Sequence, residues 1–239
     1  MRQGYHWITK VALMFLMLPA LVFARDYGWG GSAKLGAIIT AGNTSTQNFN
    51  TEIRGRYQGK QWQHHVETAL LRSFNESQLN AERYLADYKL LFRYLPQSSV
   101  YWSVRGVRDR FSGFNSQWFL TAGYQHVLIE QYNNLLTAEI GVGYTRQELS
   151  DNTEQKNLVL RTGLNYVHDF MGGNQFRLDI LILSNSNNSS TTAKLALKAK
   201  LFGNLGAEMA LQVSRNTHPP PDKVQTDSTT TVGFVYDFQ

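Results

Sequence analysis

The feature that most constrains this chain is a rhythm. From Trp29 onward, about twelve segments of near ten residues alternate apolar with polar side chains, the length that a tilted membrane strand needs. Successive residues of a strand point to opposite faces, so each segment carries one apolar and one polar face. The final stretch, Thr229 to Gln239, shows this most clearly. Val232, Phe234, Tyr236 and Phe238 share one face, while Thr231, Gly233, Val235 and Asp237 share the other. In a soluble sandwich the apolar face would lie on a core. In a membrane barrel it would lie on lipid, with Asp237 turned into the lumen.

The connections between segments add direction. Short turns are expected at Gly59-Lys60, Pro96 to Ser99, Glu130 to Asn133, Met171 to Asn174 and Phe202 to Asn204. Longer polar loops are expected near Asn43, Asn75 to Asn80, Phe111 to Ser116, Gln147 to Asn157, Ser184 to Ser190 and Asn216 to Asp227. Short on one side and long on the other is the layout of outer-membrane barrels. The expected fold is therefore all-β: a transmembrane, antiparallel, up-and-down barrel of about twelve strands, with ten or fourteen as alternatives. Aromatic residues gather at segment ends. Tyr57, Trp62, Tyr94, Trp102, Tyr132, Tyr166, Phe170, Phe176, Phe202, Tyr236 and Phe238 mark one boundary, and Phe49, Phe74, Tyr84, Phe111 and Trp118 the other, as two interfacial girdles would.

The first residues follow a different rule. Arg2 and Lys10 flank a basic start, Val11 to Leu18 is a short apolar core, and Val22-Phe23-Ala24 offers small residues for cleavage. Residues 1–24 are expected to be a cleaved export signal, cut between Ala24 and Arg25, with the barrel occupying residues 25–239. Cysteine is absent, which excludes a disulfide framework, a thiolate metal site and a lipid-anchoring cysteine after the signal. The net charge of +5 is spread as single residues rather than as a basic tail, which argues against a nucleic-acid partner.

Three stretches carry a family resemblance: Gly28 to Gly36 (GWGGSAKLG), Thr40 to Asn48 (TAGNTSTQN) and Thr226 to Phe238 (TDSTTTVGFVYDF). They resemble the YdiY-type family of salt-induced outer-membrane proteins. The resemblance implies an outer-membrane barrel and a link to stress, with no established activity and no active site to carry over.

Candidate chemistry therefore rests on the polar faces. Alternation turns Lys34, Arg54, Arg56, Arg83, Lys89, Arg93, Arg105, Arg161, Arg177, Lys194, Lys198 and Lys200 inward, together with Glu52, Glu67, Asp87, Glu139, Asp179, Glu208 and Asp237. Charges in a dry interior must pair or be hydrated. Either they line a narrow channel favouring small anions, or they form a salt-bridged plug. Phe234, Tyr236 and Phe238 are candidates for the terminal signal read by the barrel-assembly machinery. The strand histidines His64, His65, His126 and His168 fall near the short-turn ends; His218 sits in a loop with Asp222. No Ser is placed beside them by spacing, so no hydrolase is expected. The loop containing Glu148, Asp151 and Glu154 shows no metal-ligand spacing, and no metal or cofactor is expected. The expected function is a monomeric outer-membrane barrel, in contact with lipids and lipopolysaccharide. It would serve envelope maintenance or stress response, as a narrow anion path or as a non-conducting barrel acting through its loops.

Overall fold

In the computed structural model the described residues are 28–40, 46–75, 78–109, 114–149, 151–219 and 224–238. The expected signal segment and its Ala24–Arg25 cleavage point lie outside them. The described chain is a closed antiparallel barrel of twelve strands in simple up-and-down order. The strands are β1 (Gly28–Thr40), β2 (Thr46–Gln58), β3 (Trp62–Asn75), β4 (Gln78–Leu95), β5 (Ser98–Asp109) and β6 (Phe114–Gln131). They continue with β7 (Asn134–Leu149), β8 (Glu154–Asp169), β9 (Gln175–Ser184), β10 (Ser189–Phe202), β11 (Leu205–Asn216) and β12 (Thr226–Phe238).

One end of the barrel, here the turn end, holds the connections after β2, β4, β6, β8 and β10. Three of its connections are only two residues long, and in one of them, Gly203-Asn204, Gly203 adopts φ +53°, a value that the favoured hairpin turns require. The opposite, loop end differs from expectation in one respect. Strand pairing persists further, so that only residues 76 and 77 separate β3 from β4, and β7–β8 pairing reaches Glu148–Glu154. Polar residues assigned to loops by composition remain in the ladder, because backbone pairing does not depend on an apolar face.

The register fixes two surfaces. The outer wall carries Trp29, Leu35, Val66, Tyr88, Trp102, Leu120, Val142, Leu158, Leu197, Val232 and Phe234, all exposed. At its turn end the rings form a band. Trp29 meets Tyr57 at 5.1 Å, Trp62 meets Phe92 at 4.8 Å, and Tyr166 meets Phe176 at 6.1 Å. The inner wall is mixed. Alongside the charged residues it holds an apolar cluster of Phe119, Val159 and Leu183 with Leu181 packed against it.

Two close approaches shape the interior. Tyr101, on the inner face of β5, is fully buried, and its hydroxyl reaches across to Gly123 of β6 and Gly141 of β7. A Cβ at Gly123 would come within 2.8 Å of that oxygen, and one at Gly141 closer still. These glycines leave the groove in which the phenol lies. Gly141→Ala is expected to destabilise the barrel by about 1–3 kcal/mol through forced displacement of the ring. Gly55→Ala should change little, because its nearest neighbour atom is 4.0 Å away. Urea unfolding in detergent micelles, followed by tryptophan fluorescence, compares the two.

Candidate functional site

The inner-wall charges form two networks on different sectors of the barrel. The first spans β1, β2, β3, β10, β11 and β12. Lys34 donates to Glu208 Oε1 at 2.8 Å and to Thr231 Oγ1 at 3.0 Å. Arg54 contacts Glu52 at 2.6 Å and Glu67 at 3.8 Å, while Lys194 reaches Glu52 from β10. Since β12, β11 and β1 lie between β2 and β10, the Lys194–Glu52 pair spans part of the lumen rather than following the wall.

The second network spans β4, β5, β7 and β8. Glu139 accepts from Arg161 Nε at 2.8 Å and from Lys89, which extends past β5 and β6 to reach it. Gly163 makes room, since a Cβ there would meet Glu139 Cγ at 2.7 Å. Lys89 and Arg161 also lie 5.3 and 5.8 Å from the centre of the Tyr101 ring, within cation–π range. Arg105 pairs with Asp87 at 3.0 Å. Two smaller contacts are separate: Lys198 with Asp237 at 2.9 Å, and Asn165 donating to Asp179.

The remaining inward cations stand differently. Arg56, Arg83, Arg93, Arg177 and Lys200 form no ion pair among the described residues. Arg56, Arg93, Arg177 and Lys200 lie toward the turn end of β2, β4, β9 and β10. That mouth is therefore ringed by guanidinium and ammonium groups on both sides of the barrel. Phe234, Tyr236 and Phe238 lie on the outer face of β12, paired through the seam with Leu35, Ala33 and Gly31 of β1.

The outer wall holds polar sets that spacing did not reveal. At the turn end, Ser98, Tyr124 and His126 converge. Ser98 Oγ lies 3.2 Å from His126 Nδ1, and the Tyr124 hydroxyl lies 3.0 Å from the same nitrogen and 2.9 Å from Ser98. A Ser–His contact invites a catalytic reading. Here Ser98 is buried and both hydroxyls compete for one nitrogen, which suits a hydrogen-bonded girdle better than a nucleophile. His64 contacts the Tyr88 hydroxyl at 2.8 Å, and His168 and Tyr166 both bond Asn134 Oδ1, so the pattern repeats around the band.

At the loop end, Arg72, Arg108, Arg146 and Lys156 project outward from β3, β5, β7 and β8, above the apolar belt. Arg72 bonds Glu82 and the Tyr84 hydroxyl; Arg146 and Lys156 share Glu154. Glu154 is thus committed to cations. Asp151 accepts the Thr153 backbone N–H at 2.9 Å, which holds its carboxyl below the usual range. His218 bonds Thr217, while Asp222 falls outside the described residues.

Sequence reasoning missed the apolar inner cluster and Tyr101. In Ile180 to Leu183 the apolar residues run without interruption, so alternation carries no face signal there. Tyr101 sits in a Tyr-Trp pair, with aromatic residues on both faces.

Lys34 is the best-buried charge of the first network, and its loss would leave Glu208 without its cation. Lys34→Met is expected to cost about 3 kcal/mol or more, and adding Glu208→Leu should recover much of that loss. Urea midpoints of the three proteins in one detergent measure it; equal midpoints for Lys34→Met and wild type would show that the pair contributes nothing.

Comparison with known proteins agrees with this architecture. The chain is 18% identical over 207 residues to the uncharacterized protein YdiY of Escherichia coli (strain K12), covering 86% of this chain and 82% of that one. Among solved structures, a NanC porin superposes with a TM-score of 0.56 at 9% identity, covering 87% of this chain and 99% of the porin. A KdgM porin aligns with a TM-score of 0.46 at 8% identity, over 88% and 99% of the two chains. The profile of a protein family of unknown function, DUF481, matches residues 33–238, and the chain belongs to that family.

Proposed function

We propose that this protein is an outer-membrane barrel that passes small anions slowly through a narrow, charge-lined lumen, as part of envelope maintenance under stress. An exposed apolar outer wall with an aromatic band supports the membrane setting. The outward cations at the loop end suit the phosphates of lipopolysaccharide. Export with a cleaved signal, insertion by the barrel-assembly machinery through the β12 aromatic face, and a monomeric state belong to the same reading. The barrel likeness to a porin of the NanC name is in keeping with it.

The observation that carries the channel is the charge imbalance inside. Five inward cations have no ion pair among the described residues, four of them at the turn-end mouth, which favours anions over cations at the entrance. Glu52, Arg54 and Lys194 keep 13, 20 and 14% of their side-chain surface open, which leaves room for solvent beside the first network. The salt bridges narrow the path without sealing it.

Single-channel recording tests this with protein purified from membranes of an expression host. Discrete, small conductance steps are expected, with a reversal potential in a salt gradient that reports anion preference. The Arg56→Gln, Arg93→Gln and Lys200→Gln triple variant should lose most of that preference while still folding. A folded barrel that passes no current would instead favour a non-conducting role carried by the external loops.

A further inference from the structure

Between the inner faces of β4–β6 and those of β9–β10, in the loop-end half of the lumen, lies a cavity of about 40 Å³. Roughly 10–15 Å³ on this scale accommodates one water, so the space takes about three waters or a small organic ion. Its lining is mixed in chemistry. Arg83 and Arg105 present guanidinium groups from β4 and β5, and Ser190 and Thr192 add hydroxyls from β10. Phe119 from β6 and Leu183 from β9, members of the apolar inner cluster, add apolar surface on each side, next to Arg105 and Ser190 respectively.

The two arginines are not equivalent. Arg105 is engaged by Asp87 at 3.0 Å. Arg83 faces Asp109 across the β4–β5 ladder but forms no ion pair with any described residue. A guanidinium carries five donors in a planar fork that matches a carboxylate, and desolvating it without an anion is costly. A hydrated inorganic ion would gain nothing from Phe119 and Leu183, whereas a ligand with a short alkyl group would remove that surface from water.

We propose that this cavity binds a short-chain monocarboxylate, with its carboxylate on the Arg83 guanidinium and its alkyl group against Phe119 and Leu183. The inference rests on the anion-path reading for its biological role, and it makes the cavity a selectivity point on that path.

The test is thermal unfolding of the detergent-solubilised protein at constant ionic strength, with sodium chloride replaced stepwise by sodium propionate. A saturable rise in Tm is expected with propionate and not with chloride. It should vanish in Arg83→Gln and persist in Arg72→Gln, which alters only the outer wall. Should Arg83→Gln fail to fold, Leu183→Phe, which fills the cavity from the opposite wall, must abolish the rise in its place. A rise that survives the cavity variant, or no rise as propionate replaces chloride, overturns the proposal. Propionate stabilisation in a barrel that carries no current would overturn the channel reading alone. Current without propionate-specific stabilisation would overturn the binding site alone.

Discussion

Everything in this structure depends on closure of the backbone hydrogen-bond ladder. In hydrocarbon each unsatisfied amide costs several kcal/mol, so a sheet that crosses a membrane must have no free edge. Pairing of β1 with β12 removes the two edges that twelve strands in a row would leave. Once the ring is closed, alternation divides all the side chains between an outer and an inner surface. The apolar wall, the aromatic band and the charged lumen are three results of that one geometric condition.

The interior shows how a barrel of this size fills itself. It is neither a packed apolar core nor an open pore. Long basic side chains reach past neighbouring strands to carboxylates: Lys194 to Glu52, Lys34 to Glu208, and Lys89 to Glu139. Each bridge ties strands that do not touch through their backbones. The networks therefore brace the cross-section as well as neutralise charge. The cations left over are concentrated at one mouth and at the Arg83 cavity, and any preference for anions would have to come from these groups.

Much of this was legible in the sequence because the period-two pattern is long and regular. Arg83, Asp87, Lys89 and Arg93 alternate with Tyr84, Ala86, Tyr88, Leu90 and Phe92, which settles both the strand and its faces. Legibility failed where the pattern lost contrast. Leu181 and Leu183 face inward within a continuous apolar run, and Tyr101 is flanked by residues that alternation does not sort. Partner choice was not legible either. Lys194 and Glu52 lie 142 residues apart, and only the order of strands around the ring brings them together. Nor could spacing show that Ser98 meets His126, since their contact depends on the β5–β6 register.

The seam has a consequence of its own. β1 and β12 share five paired positions, Gly31–Phe238 to Leu35–Phe234, whereas β1 and β2 share thirteen. Lys34 lies within that short ladder and reaches over β12 to β11, so one ammonium group spans the join from inside. The lifetime of the native barrel would then be set by a single line along its wall. Rupture would begin where the first and last strands meet, with the eleven hairpin ladders between consecutive strands still intact. The molecule would be lost by unzipping from its join, and its durability would be a matter of rate rather than of total bonding.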